Sequence, residues 1–395
     1  MIIQKFLGLS MIFFIVFPFV QLIRNDAYNQ PYSLIFGILY LASSFLLKNK
    51  ILLPRKQYAP LLIFILFAIF SFICFTKKNM QEIKYLISFI SPIVYIPAVY
   101  SLMHNEKKCL LRIIKFGLLV WMLVGLMQAV YDPLFMTALA GNLSEVAFDV
   151  ASSGRGVLSL APEPWYHAAH IILLTGTYLV AQGAKEGKIV ALISIGYVVL
   201  VCSSASGIIC IICGIIVSLL LHASFQSVLR ISTISLLLIF IIPKLSSAQN
   251  TSRLSVLINT TTTQPDILLE DASINARLAG LISSVTTCYE DKLYPHGLSH
   301  ENWLRKRNEI LNENTWMLNL SENGFSSGLG IIFYQAGFFF LPLFLMILKN
   351  FKSASINVYT DIFIWGSVFV ALFQFSLSSG IFWCLYTVCM CNKNQ

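Results

Sequence analysis

Charge is what this 395-residue chain has least of: Asp, Glu, Lys and Arg together make up 11% of it, against about a quarter of an ordinary soluble domain. With 57% apolar residues and a mean hydropathy of +0.76, a water-soluble fold is excluded. Nucleotide signatures are missing too. Gly183, Gly187 and Lys188 have the wrong spacing for a phosphate-cradling G-x-x-x-x-G-K-[ST] loop, and no G-x-G-x-x-G follows a strand. No disulfide framework is available either: most of the nine cysteines fall in apolar runs, and Cys288 is alone in the one large polar segment. Cys210 and Cys213 form a C-x-x-C inside an apolar run and read as small core residues. No internal repeat is visible in the apolar runs or the motifs.

Long apolar runs are what remains. About 20 apolar residues cross the hydrocarbon of a bilayer, and backbone in lipid must satisfy its own hydrogen bonds, so each run reads as a helix. The runs are 6–23, 31–47, 59–76, 84–103, 110–131, 167–183, 187–203, 206–222, 229–243, 327–348 and 358–376. A last one, 378–391, is short for a crossing and leaves its own topology open. The expected fold is all-α, a polytopic membrane bundle of eleven or twelve helices. Residues 1–244 form its N-terminal part with an outer loop at 132–166, residues 245–326 a large polar loop, and residues 327–395 the closing helices. The first run lacks a small-residue cleavage site before Gln21 and reads as a retained helix.

Lys and Arg set the orientation. With a cytoplasmic N-terminus, about 15 of them flank the spans on the inner side, from Lys5 to Lys393, against about five outside: Arg24, Lys77, Lys78, Lys84 and Arg155. Both long polar stretches then face outward. Anionic lipid accounts for the net charge of +9. The large loop, with seven basic and nine acidic residues over 244–322, is no polycation, and nucleic acid is not an expected partner.

Three constellations stand out in the outer segments. The first is Ser153-Gly154-Arg155-Gly156-Val157-Leu158-Ser159-Leu160-Ala161-Pro162-Glu163-Pro164-Trp165-Tyr166-His167, in which two prolines hold Glu163 on a rigid approach to the sixth run. The second is Ser203-Ser204-Ala205-Ser206-Gly207, small residues that equally suit close helix packing. The third is in the large loop, where Leu268, Ile274, Leu278, Leu281, Ile282 and Val285 recur at helical intervals with Arg277 on the flank. A Pro295-His296-Gly297 turn follows, then His300 and the run Arg305-Lys306-Arg307. Gly297 between His296 and His300 argues against a helical metal pair, and no metal or cofactor is expected.

These residues resemble bacterial O-antigen polymerases of the Wzy type. The likeness rests on Gly154-Arg155-Gly156-x-Leu158-x-x-x-Pro162-Glu163-Pro164, the small-residue motif one helix later, the Arg-bearing loop helix with its Pro-x-Gly turn, and Phe333-Tyr334-Gln335-Ala336-Gly337. It covers the whole chain in architecture and few identities. The chain departs from the family at Ala205, where an Arg is common, and at Gly297 with Ser299, where two glycines are. Related ligases carry a His-Asn pair where this chain has Ser326 and Ser327, which points towards the polymerase. The resemblance implies transfer of a growing glycan from undecaprenyl diphosphate to the next lipid-linked repeat unit, in the bacterial inner membrane with the large loop periplasmic. The implied partners are that lipid-linked oligosaccharide, the membrane lipids and a chain-length regulator.

A metal-free transferase must stabilise the departing diphosphate, which suits arginine. Arg277 is the expected catalytic cation and Arg155 its counterpart in binding. Glu163 is the expected base and His296 the second. Trp165, Tyr166, His167, Ser206, His300, Arg305 and Arg307 complete the expected substrate-facing set. A ligase or related glycan transferase is the first alternative. A lipid-glycan flippase is the second and predicts mid-membrane ionisable residues, for which His170 and Asp361 are the thin material. An intramembrane protease using Ser204 or Ser206 with His170 is the third.

Overall fold

A computed structural model describes residues 2–22, 30–47, 58–140, 149–150, 156–183, 187–222, 272–317, 320–325, 327–373 and 378–392. Arg155, Ser326 and the run 229–243 lie outside the described residues, as does the start of the large loop. Among the described residues the chain is all-helical, with no strand. The helices are α1 (Ile2–Val16), α2 (Tyr32–Leu46), α3 (Tyr58–Phe75), α4 (Met80–Asn105), α5 (Lys107–Val130), α6 (Pro164–Gln182), α7 (Gly187–Tyr197) and α8 (Ala205–Leu221). They continue with α9 (Ala272–Glu290), α10 (His300–Glu313), α11 (Gly328–Ala336), α12 (Leu341–Ser353), α13 (Val358–Leu372) and α14 (Gly380–Asn392).

Apolar helices occupy every described run. Among the described residues only α4 and α5 are long and apolar enough to cross a membrane alone, with seven shorter apolar helices beside them. The run 327–348 is corrected: it does not form one straight span, because α11 and α12 meet at a bend of 118°. Gly337 stands in the left-handed region at φ +52, and Pro342 in the first turn of α12 has no N–H to continue the ladder. The break is filled by the loop after α9. Phe338 N–H donates to the Leu293 carbonyl at 2.9 Å, while the His296 and Gly297 amides donate to the carbonyls of Tyr334 and Gln335 at 3.1 and 2.9 Å.

The core is built around α6, in which every residue except Tyr166 and Gln182 is buried. A helix that is apolar all round belongs in the middle, and α5, α7, α8, α13 and α14 surround it. The tightest pairing is α8 on α13. A Cβ on Gly214 would lie 2.2 Å from the Ile362 carbonyl oxygen, so only glycine lets these backbones approach so closely.

The two ends of the bundle differ. At one, Lys5 pairs with Glu106 at 2.9 Å, and the buried Asp361 carboxylate takes His222 Nε2 at 2.7 Å and Ser355 Oγ at 2.5 Å. At the other, Phe373 links the start of α6 to the start of α11: its ring lies 6.2 Å from that of Trp165, and its carbonyl accepts the Gly328 amide at 3.0 Å. The first constellation and the large loop therefore share one end.

Candidate functional site

The chain enters α6 through a segment bolted to the core. Gln128 takes the Ser159 amide on Oε1 at 2.6 Å and returns Nε2–H to the Ser159 and Phe135 carbonyls at 3.0 and 2.8 Å. Ser159 Oγ donates to the Trp121 carbonyl at 2.8 Å. Gly156, at φ +94, presses on the end of α7, where a Cβ would lie 1.9 Å from the Cys202 carbonyl oxygen. There the helix closes in a π-turn over Val198–Cys202, and Ser203 turns left-handed at φ 45. The small-residue motif then opens α8, and Gly207 sits so close to α6 that a Cβ would be 2.5 Å from that of Ala168.

Of the residues expected here, Glu163 is half-buried at the N-cap of α6 with no capping bond of its own. Tyr166 is half-buried against Phe19, ring centroids 5.6 Å apart. Trp165 and His167 are fully buried. His167 Nδ1–H donates to the Val157 carbonyl at 3.1 Å and Nε2 faces the Tyr197 hydroxyl at 3.3 Å. Contact between these two rings and a sugar is corrected on that ground: as placed they brace the segment from inside and present no open face. Ser206 is likewise buried, in the first turn of α8.

Arg277 arrives from α9. It is half-buried, and its guanidinium lies within electrostatic reach of Cys210, in the second turn of α8. Parts of three motifs gather around the first two turns of one helix: Gly156 against Cys202 at its approach, Ala168 beside Gly207, and Arg277 within electrostatic reach of Cys210. A helix N-terminus and a guanidinium both favour anions, and phosphate oxygens fit the arginine fork.

His296 belongs to a second cluster. Its Nε2 is 2.8 Å from Asp291 Oδ2, and its ring lies flat on Tyr334 at 4.3 Å and 8°. Lys306 Nζ is 3.6 Å from the other Asp291 oxygen. A shallow surface depression lies beside them, lined also by Thr287, Cys288 and Tyr294. Burial, with the Asp291 charge second, pushes the Cys288 thiol up to about 11. Burial thus works against Cys288 as a nucleophile beside His296 and Asp291, since the thiolate is the reactive form.

The expected catalytic trio is not one site. Arg277 is in the second turn of α9 and Asp291 directly follows its last residue, 14 residues on, or about 21 Å along a helix axis. The remaining expected residues hold α10 in place. His300 donates its amide to Glu82 Oε1 at 3.1 Å and sets Nε2 3.0 Å from the Glu322 carbonyl, and Arg307 Nε–H donates to the Leu320 carbonyl at 2.8 Å. Arg305 is exposed and bonds Asn302 within its own helix at 3.1 Å. Among the described residues no three His, Cys, Asp or Glu side chains gather into a metal-holding group.

No family model, curated protein or solved structure matches the chain. Sequence reasoning missed Asp291 and Lys306 as partners of His296, although a carboxylate five residues before a histidine was there to read. It also missed the pairing of Asp361 with His222, 139 residues apart, which no local spacing signals.

Proposed function

We propose that the protein is a membrane-embedded glycosyltransferase that joins oligosaccharide repeat units carried on undecaprenyl diphosphate, in the manner of an O-antigen polymerase. The anomeric carbon of the growing glycan leaves its diphosphate and bonds to a sugar hydroxyl of the incoming lipid-linked unit. The electron pair of the broken C–O bond goes to the diphosphate, and the hydroxyl proton goes to a base. Arg277 and the N-terminal turns of α8 stabilise the departing charge, with Arg155 as the second cation in binding. Glu163, half-buried at the head of α6, takes the proton.

One observation carries this reading: the meeting of Gly156, the 203–207 motif and Arg277 around the start of α8. Donors fixed in place before reaction are the largest source of rate in such chemistry. The test is the lipopolysaccharide of a strain lacking the gene. Core carrying a single repeat unit is the expected result, because ligation proceeds without polymerisation. Core with no repeat unit, despite normal precursor synthesis, assigns the chain to ligation or flipping instead.

A further inference from the structure

The helix α9 is inside out. Its buried face carries Asn275, Ala279, Gly280, Ser283, Ser284 and Thr287, all small or polar. Its outward face carries Leu278, Leu281, Ile282, Val285 and Tyr289, with Ile282 43%, Val285 60% and Tyr289 85% exposed. A helix on the surface of a soluble domain does the reverse. Small residues inward and large apolar ones outward is the arrangement of helices packed in lipid, where close approach of backbones replaces the hydrophobic drive. The inner face shows that approach directly: a Cβ on Gly330 of α11 would lie 2.5 Å from the Cβ of Ser284.

Depth gives an independent argument. Near its start, α9 brings Arg277 within electrostatic reach of Cys210, five residues past the first residue of α8, or about 8 Å down that helix. Just past its end, Leu293 accepts the Phe338 amide. The next residue, Phe339, stacks at 4.6 Å on Phe67, eight residues or about 12 Å short of the end of α3. Both ends of α9 are thus held below the tips of the helices beside them. The surface on either side is of the same kind, with Ile209, Ile212 and Ile216 of α8, Phe338 and Leu345 all exposed. No charged residue occurs between Arg277 and Glu290, and the exposed Tyr289 and Tyr294 at the far end suit a headgroup boundary.

We propose that α9 lies in the bilayer leaflet on the loop-bearing side, its face at Leu278, Ile282 and Val285 against phospholipid acyl chains and Tyr289 at the headgroup boundary. This rests on the membrane reading of the bundle and not on the reaction. Arg277, on the flank between the two faces, then stands beside the hydrocarbon, where the diphosphate of a lipid-linked substrate arrives sideways with its polyprenyl chain still in the bilayer.

The test places a photoreactive benzophenone amino acid, one site at a time, at Val285 and Ile282, at the exposed Leu126 of α5 and at the exposed Glu309 of α10. The variants are reconstituted in phosphatidylethanolamine and phosphatidylglycerol vesicles, irradiated and weighed intact. The expected result is a one-phospholipid adduct at 285, 282 and 126 and its loss at 309. Adducts at 126 with none at 285 or 282, or with only links to the chain itself there, overturn the proposal and leave the membrane reading standing. Absence of adducts at all four positions overturns both.

Discussion

His296 lies flat on Tyr334, ring centroids 4.3 Å apart and planes within 8° of parallel, with Asp291 fixing its Nε2 from the edge. Half-exposed pairs of this kind contribute little stability on their own, so what the stack fixes is position. It pins the 291–297 turn to α11, at the far end of α9 from Arg277. If the two ends work independently, the losses from His296→Ala and Arg277→Ala multiply. The double variant should match the product of the single effects within about twofold, as separated sites do. Initial rates of chain extension in proteoliposomes decide it, since a double variant no slower than the worse single one means one shared centre.

Arg277→Ala should abolish long chains, because losing one donor to a developing oxyanion commonly costs about 100- to 1000-fold. Arg277→Lys should recover part of the activity, keeping the charge and losing the planar fork. The silver-stained ladder, with membrane abundance checked by an epitope tag, is the measurement. A normal ladder from Arg277→Ala at wild-type abundance removes this residue from the reaction.

Gly156→Ala should damage the protein and Gly196→Ala should not. At Gly156 the added carbon meets the Cys202 carbonyl oxygen at φ +94, and a backbone atom cannot swing aside. Strain of this kind costs on the order of 1–3 kcal/mol. At Gly196 nothing lies within 4 Å, and alanine is about 1 kcal/mol the better helix former. Thermal aggregation in detergent compares the two, and equal stability would mean the 156–203 contact does not hold the segment.

Cys288 should alkylate slowly. With its thiol pushed up to about 11 from an ordinary 9.0, its thiolate fraction at pH 8 is about a hundredfold below that of a free cysteine. The rate should keep climbing with pH up to about 11 and not level off near 9. Asp291→Asn should raise it modestly, burial being the larger cause. Peptide-resolved mass spectrometry across pH follows the site, and a plateau near 9 would contradict the burial seen here.

A single cysteine at Asn302 and another at Ser353, in a cysteine-free background, should label oppositely with a membrane-impermeant thiol reagent in outer-permeabilised cells. Asn302 is at the loop-bearing end and should react. Ser353, exposed at the opposite end, should not. Reversed labelling inverts the orientation drawn from Lys and Arg.

Helix positions were legible because a run of apolar residues in lipid has one way to satisfy its backbone. The break at Gly337 was half legible. Gly337 and Pro342 stand in the sequence, but the bend also needs Leu293, His296 and Gly297 to meet it, and no spacing reveals a partner 40 residues away. The loop helix shows the same limit: periodicity put Leu278, Ile282 and Val285 on one face, and only the fold shows that this face points outward. At the site, the motifs were visible and their convergence was not. Gly156 reads as a loop glycine until the Cys202 carbonyl is beside it.

The three amide bonds across the Gly337 break tie two segments into one cooperative unit. Without the 293–297 turn, the carbonyls of Tyr334 and Gln335 would lose their donors, at about 1–3 kcal/mol for each one left buried and unpaired. Without the break, that turn would have no carbonyls to bind. Each half satisfies the other's backbone groups, so the loop is part of the helical bundle and not an appendage to it. Cutting residues 291–299 would remove the donors that let α11 and α12 bend, and the damage would be read inside the bundle, in helices the deletion never touched.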